Sequence, residues 1–183
     1  MRNIFLLLFL IISFGCKKDV LPKPKAHLSL SYPEKNYENL KLSRPYSFKV
    51  SKTATLINKK NNWLSIKYPK LKASIDITYR PLKNNIRELL TEAEKLVFKH
   101  TSKADRIIPQ DFINKEKRVF GSIYEITGNA ASQIQFHVTD STDNFIKGSL
   151  YFYAKPNYDS ILPAVNYLKE DILHLIETLK WQH

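Results

Sequence analysis

One segment of the chain alternates strictly between apolar and polar residues. The apolar positions between residues 71 and 80 are Leu71, Ala73, Ile75, Ile77 and Tyr79, and polar side chains separate them. Alternation with a period of two is typical of a strand that buries one face. The pattern therefore predicts a half-buried strand that ends at Pro81, because proline cannot donate a hydrogen bond to a neighbouring strand.

Helical spacing follows this strand. Apolar residues recur every three or four positions at Ile86, Leu89, Leu90, Ala93, Leu96 and Val97. This spacing predicts an amphipathic helix from Ile86 to about His100. Asn85 and Glu88 are placed like a capping box, in which the Asn85 side chain would cap the first turn.

Three further strand patterns follow the helix, at residues 119–127, 132–139 and 145–154. The short link at 140–144 predicts that the last two form an antiparallel hairpin. Residues 145–154 are aromatic on both faces, which indicates a central strand covered on each side. Weaker strand patterns lie upstream, at residues 28–32, 46–50, 53–57 and 63–67.

A long helix is predicted to begin at Asp159 and Ser160. Its apolar stripe consists of Leu162, Val165, Leu168, Ile172, Leu175, Ile176 and Leu179. The order is strands, helix, strands, helix, and not an alternation of single strands with helices. We therefore expect a single α+β domain with an antiparallel sheet packed by two main helices.

The composition limits the chemistry of the chain. It has 183 residues, 43% of them hydrophobic, which is enough for one domain with a substantial core. One cysteine excludes an internal disulfide and a thiolate zinc cluster. Only four glycines are present, and neither a P-loop nor a dinucleotide-binding motif occurs. We therefore expect no cofactor.

The N-terminus has the features of a secretory signal. A basic start at residues 1–3 precedes nine apolar residues at 4–12, too few to span a bilayer. Cys16 follows Gly15, and this arrangement resembles a bacterial lipoprotein signal, in which the cysteine becomes the first mature residue and carries acyl chains such as palmitate. The alternative is that Cys16 is an ordinary residue without a lipid.

The lipoprotein interpretation divides the chain into three parts. Residues 1–15 are the predicted signal peptide, residues 16–27 the lipidated start with a Pro/Lys tether, and residues 28–183 the α+β domain. Pro22 and Pro24 favour an extended, semi-rigid tether.

Positive charge is concentrated next to the predicted anchor. Residues 17–62 contain eleven Lys and Arg residues and three acidic ones. This segment either contacts anionic headgroups or forms a solvated face, and both interpretations remain open. A signal peptide removes nucleic acid as a partner. Lys17, and not aspartate, follows Cys16, which favours lipid anchoring to the outer membrane on its periplasmic side, with the inner membrane as the alternative.

Candidate catalytic groups are few. The five histidines are scattered without metal-ligand spacing, so no metal site is expected. His137, Asp140 and Ser141 are close neighbours in sequence, which does not allow them to stack as base, orienting group and nucleophile. We expect His137 to be exposed on its strand and Asp76 to lie on a polar strand face beside Lys72 and Arg80. The sequence therefore predicts no enzyme and no catalytic residue.

Two loops are candidates for an interaction surface. The first contains small residues, at Gly128, Asn129, Ala131 and Ser132, and is interpreted as a tight turn in preference to a docking site. Around the second, aromatic residues at 151–153 and Tyr158 adjoin Pro156, and most of them are expected to lie in the core beneath the last helix. Exposed aromatic anchors would suit a protein interface.

Several longer motifs carry a family resemblance. They are LPKPK at 21–25, ITYRP at 77–81, GNAASQ at 128–133, GSLYFYAKPNYDS at 148–160 and ETLKW at 177–181. In combination these motifs resemble the gliding-motility lipoprotein GldD family over nearly the whole mature chain. The order of sheet and helices also resembles PsbP/Mog1-like domains, which is an analogy of fold alone.

The resemblance implies a non-enzymatic envelope lipoprotein of Bacteroidota that is required for gliding and linked to type IX secretion. Its expected partners are other gliding and secretion envelope proteins, and the membrane through Cys16. Only Cys16 is carried over as a functional position. The alternative is a lipoprotein that binds a small molecule or glycan in a cleft of the sheet, although we do not expect a small-molecule ligand.

Overall fold

The computed structural model describes residues 32–153 and 157–182, which form a single α+β domain. The predicted strand at 28–32 lies outside the described residues except for Tyr32, which is not in a strand. The elements are β1 (Tyr37–Asn39), β2 (Tyr46–Ser47), β3 (Lys49–Ser51), β4 (Thr55–Asn58), β5 (Leu64–Tyr68), β6 (Ala73–Pro81), α1 (Ile86–Phe98), β7 (Ala104–Asn114), β8 (Val119–Gly128), β9 (Ser132–Thr139), β10 (Asn144–Phe152), α2 (Tyr158–Thr178) and β11 (Lys180–Trp181).

Seven strands form one antiparallel sheet in the order β4-β5-β6-β10-β9-β8-β7. The prediction that residues 145–154 contain a central strand is confirmed, because β10 pairs with β6 on one side and with β9 on the other. Gly148 lies opposite Ile77 and Phe136 in these ladders. A side chain here would place a Cβ 2.2 Å from the Phe136 ring, so the ring occupies the space that the glycine leaves.

Helix α2 covers one face of the sheet, as its apolar stripe predicts. Leu168, Ile172 and Ile176 are fully buried in the main hydrophobic core. From the sheet, alternate residues of the central strands point into the same core, among them Ile75, Ile77, Ile134, Phe136, Val138, Ile146 and Leu150. The alternation read from the sequence therefore identifies the face that α2 covers.

Helix α1 packs on the opposite face of the sheet. Leu89 and Ala93 form a small buried cluster with Phe145 of β10. The helix begins at Ile86 as predicted and ends at Phe98, two residues before His100. The expected capping box is wrong: Asn85 makes no side-chain cap, and its Oδ1 accepts a hydrogen bond from the Lys83 backbone N–H at 2.9 Å. This local turn competes with capping for the same side chain.

Strand β7 is an edge strand that the sequence pattern did not reveal. Most of its side chains are exposed, including Ile108 at 45% and Ile113 at 68%. Ala104, Ile107 and Phe112 pack against buried clusters, but most of the strand faces solvent and has no reason to alternate between apolar and polar residues. Pro109 fits here because an edge strand has one side without a partner ladder.

The first described residues are fastened to α2 by a group that we call the N-terminal clasp, consisting of Lys35, Tyr37, Tyr167, Asp171 and His174. The buried Asp171 carboxylate accepts hydrogen bonds from Lys35 Nζ at 2.7 Å and Tyr37 Oη at 2.8 Å. The Tyr37 ring stacks on His174 at 3.9 Å, and Lys35 Nζ lies 3.3 Å from the centre of the Tyr167 ring. Burial, followed by the bond to Asp171, raises the pKa of Tyr37.

Candidate interaction surface

The small residues after β8 form a tight turn, as the sequence predicts. Gly128 has a φ of +90°, and a Cβ at this position would lie 2.7 Å from the Asp105 backbone nitrogen. Both the backbone conformation and the close approach require glycine. Ala130, at the middle of the turn, is buried against Val97, Tyr124 and Ile126.

Hydrogen bonds hold this turn from within. Gln133 Nε2 donates to the Ala130 carbonyl oxygen at 2.7 Å, and Ser132 Oγ donates to the Ile134 carbonyl oxygen at 3.1 Å. Both side chains are buried, so water does not compete for these bonds. The turn is therefore rigid although it lies at the surface.

The structure brings the turn together with the start of α2. Asn129 Oδ1 accepts a hydrogen bond from the Tyr158 backbone N–H at 3.0 Å. Asn129 and Ala131 are exposed and Tyr158 is half-buried. Gly128 and Ser132 are buried, so another protein could not contact them. Pro156 lies outside the described residues. The surface available at this site is therefore Asn129, Ala131 and the edge of Tyr158.

The aromatic residues before α2 are more exposed than expected. Tyr151 is 37% and Tyr153 58% exposed, so the expectation that most of this group lies beneath the last helix is wrong for both. Tyr151 lies opposite Ser74 in the ladder, on the sheet face that α2 does not cover. Tyr153 follows β10, and its hydroxyl lies 3.0 Å from Ser74 Oγ.

His137 is buried, and the prediction that it is exposed is wrong. Its side chain lies on the α1 face of β9, where the helix covers it, and only 4% of the residue is accessible. The ring stacks on Phe145 at 5.9 Å and lies 6.0 Å from Tyr124. Burial lowers the pKa of His137, and the Glu94 and Asp111 carboxylates only partly oppose this.

A pH dependence of stability follows from this burial. Because the pKa of His137 is below its ordinary 6.5 in the folded state, the unfolded chain binds the proton more readily. The free energy of unfolding should therefore fall as the pH drops below about 6.5. We expect urea denaturation at about pH 7.5 and about pH 5.5 to show a smaller loss for His137→Gln than for the wild type. Equal losses in the two proteins would contradict this assignment.

Asp140 and Ser141 do not join His137 in a catalytic arrangement. Asp140 Oδ1 accepts hydrogen bonds from the backbone N–H groups of residues 142, 143 and 144, and Oδ2 accepts one from Asn144 Nδ2 at 2.7 Å. Burial raises the pKa of Asp140, but the bonds from Asn144 and its neighbours outweigh it and hold the pKa below its usual value. Asp140 therefore organises the predicted hairpin link, and Ser141 sits in that link with a φ of +70°.

Asp76 is also engaged in local structure. It accepts hydrogen bonds from Ser65 Oγ at 2.6 Å and from Lys59 Nζ at 3.1 Å. The expected neighbours Lys72 and Arg80 are not its partners; Arg80 instead pairs with Glu92 of α1 at 3.3 Å. Within residues 32–153 and 157–182, no three His, Cys, Asp or Glu side chains are arranged to hold a metal ion.

The geometry defines the chain as a single α+β domain with a rigid surface turn held against its long helix. Residues 17–181 match the family described as gliding motility lipoprotein GldD, and the chain belongs to that family. A lipoprotein family indicates association with the cell envelope. No curated protein sequence matches the chain. Among the described helices, neither is long and apolar enough to cross a membrane. Cys16, the predicted lipid attachment site, lies outside the described residues.

Proposed function

We propose that this protein is a non-enzymatic component of the gliding apparatus that binds other envelope proteins and is linked to the type IX secretion machinery. In this proposal acyl chains on Cys16 anchor it to a membrane facing the periplasm, with the outer membrane favoured. Family membership supports the connection with motility. The binding role rests on one observation, the contact between the rigid turn and the start of α2.

The rigidity of this turn supports a binding role. An ordinary solvated turn needs no buried anchor, yet Ala130 is 1% exposed and Gln133 holds its carbonyl group from inside the domain. A surface that is already ordered loses less conformational entropy when a partner binds. The small exposed side chains of Asn129 and Ala131 also allow a partner to approach the backbone closely.

The polar residues at the end of β9 are occupied by structural contacts, which supports a non-enzymatic role. A general base must be within hydrogen-bond reach of its substrate. His137 is enclosed between aromatic rings, and both oxygens of Asp140 are taken up by the hairpin link. These residues serve the fold, which leaves them poorly placed for turnover.

The alternative of a ligand in a cleft of the sheet receives less support. Two cavities lie on the main sheet, one of about 280 Å³ beside Tyr68 and Tyr167 and one of about 110 Å³ between α1 and the strands, and both are below the ~300 Å³ typical of small-molecule sites. The smaller one is enclosed by α1. Its polar side chains are paired with each other, because Glu92 bridges Arg80 at 3.3 Å and Lys147 at 3.5 Å. A ligand here would have to break both ion pairs.

The proposal predicts that Ala131→Arg abolishes colony spreading. The new side chain is large and charged at the exposed tip of the turn, so it should block a partner without entering the core. Spreading is to be compared at equal protein level, with thermal unfolding and membrane fractionation as checks. Ser141→Arg adds the same side chain to the exposed hairpin turn at the other end of β9 and should spread normally.

A second variant, Tyr158→Ala, tests the α2 side of the same surface. Normal spreading in both Ala131→Arg and Tyr158→Ala would refute the proposed site. If Ser141→Arg alone stops spreading, the contact surface lies at the opposite end of the sheet. A loss in all three at normal folding would point to a general intolerance of the sheet ends, and not to this turn.

A further inference from the structure

A groove of about 510 Å³ lies where the two small ladders of the domain adjoin. One ladder pairs β1 with β3, and the other pairs β2 with β11. Three lysines line the groove, Lys49, Lys117 and Lys180, and we call it the lysine groove. They come from distant parts of the chain, and only the fold brings them together.

Backbone pairing fixes the walls of the groove. Lys49 lies opposite Asn39 in one ladder, and Lys180 lies opposite Ser47 in the other. The Lys49 backbone N–H also donates to Thr178 Oγ1, at the end of α2, at 3.0 Å. The two lysines therefore start from rigid positions, although their side chains extend into solvent.

The positive charge in the groove is only partly balanced, because Lys117 and Lys180 also border an adjoining cavity that Glu116, Asp140 and Asp143 line. Among the described residues, Lys49 and Lys180 form no ion pair, and no carboxylate lines the groove. Lys117 Nζ donates to the Glu177 carbonyl oxygen at 2.5 Å, which leaves two of its three N–H donors. The neighbouring Arg118, by contrast, is engaged by the Asp140 carbonyl oxygen and Thr142 Oγ1.

We propose that the lysine groove binds a phosphate group. Three ammonium groups, with the side-chain amides of Asn39 and Gln182, supply donors for a multi-oxygen anion, whereas the Thr178 hydroxyl already donates to the His174 carbonyl oxygen at 2.7 Å. The volume exceeds that of one phosphate and leaves room for an attached glycerol or sugar. The group would belong to a lipid headgroup or to a soluble phosphorylated compound.

The test uses the full chain purified in a neutral detergent and calorimetric titration. The three probes are short-chain phosphatidylglycerol, short-chain phosphatidylcholine and inorganic phosphate. In the double variant Lys49→Gln/Lys180→Gln, binding should weaken about tenfold or more, because charge-assisted hydrogen bonds are lost. The control Lys60→Gln/Lys83→Gln removes the same charge from exposed positions elsewhere and should change affinity less than about twofold.

If phosphatidylglycerol binds and inorganic phosphate does not, the phosphate group belongs to a lipid headgroup. If inorganic phosphate binds and phosphatidylglycerol does not, the ligand is a soluble compound. Binding of both, in competition, identifies a site for the phosphate itself. The double variant Lys49→Arg/Lys180→Arg keeps both positive charges and should retain binding. This result would show that affinity depends on the charge at these positions. Equal weakening in the Gln variant and its control means nonspecific attraction and overturns the proposal, as does an absence of binding by the wild type.

Discussion

Replacing Leu175 with alanine is expected to lower the free energy of unfolding by about 2–5 kcal/mol, the usual range for a buried leucine. Leu175 is 2% exposed and belongs to the core between α2 and the sheet. Domains of this size are stable by about 5–15 kcal/mol, so the loss is a large fraction of the total. Urea denaturation should show a lower midpoint at an unchanged slope.

A matched control lies two residues earlier on the same helix. Leu173 is only half-buried, so Leu173→Ala removes the same atoms from a position that keeps part of its contact with water. It should cost clearly less than Leu175→Ala. If the two variants unfold alike, α2 does not lie across the sheet with the stripe that the structure assigns to the core.

Changing Cys16 to serine should release the protein from the membrane. Two or more acyl chains make anchoring stable, because each buried CH₂ contributes about 0.8 kcal/mol, and serine cannot form the thioether. The wild type should fractionate with membranes, and its intact mass should lack residues 1–15 and include the lipid. The variant should be found in the soluble fraction or persist as the uncleaved precursor.

Ser13→Ala is the control for this experiment, because it alters the signal region without removing the thiol. It should be processed and anchored like the wild type. A Cys16→Ser protein that is cleaved and still fractionates with membranes to the same extent would contradict the anchor. The basic segment at 17–62 would then be the first region to examine for membrane contact.

Sequence periodicity predicts the parts of this fold that bury one regular face. Strands β6, β8, β9 and β10 and both helices follow from it, because a half-buried element must repeat its apolar residues with its own period. Strand β7 does not follow, since an exposed edge imposes no pattern. Strands β1 and β11 have three and two residues, too few for any period to be visible.

The candidate interaction residues depend more on long-range contacts than the elements of the fold do. The small residues at 128–132 predict the tight turn. Its contact with Tyr158 joins positions 29 apart in the sequence, so local patterns do not predict it. His137 occupies an alternate, polar position of its strand, which reads as exposed until α1 is placed over it. The lysine groove shows the same limit, because Lys49, Lys117 and Lys180 are far apart in the sequence and nothing in it indicates that they lie together.

The N-terminal clasp, together with the contact of Tyr32 with Tyr167, is expected to make the mechanical strength of the domain depend on the direction of a pull. Tyr32 lies against Tyr167, Lys35 meets Asp171 and Tyr37 meets His174, so the chain follows α2 residue by residue. Tension directed along the helix loads these three contacts together. Tension directed away from the helix opens them one after another, beginning at Tyr32. If Cys16 carries the proposed anchor, a pull through the N-terminus is therefore expected to meet more resistance in shear than in peeling.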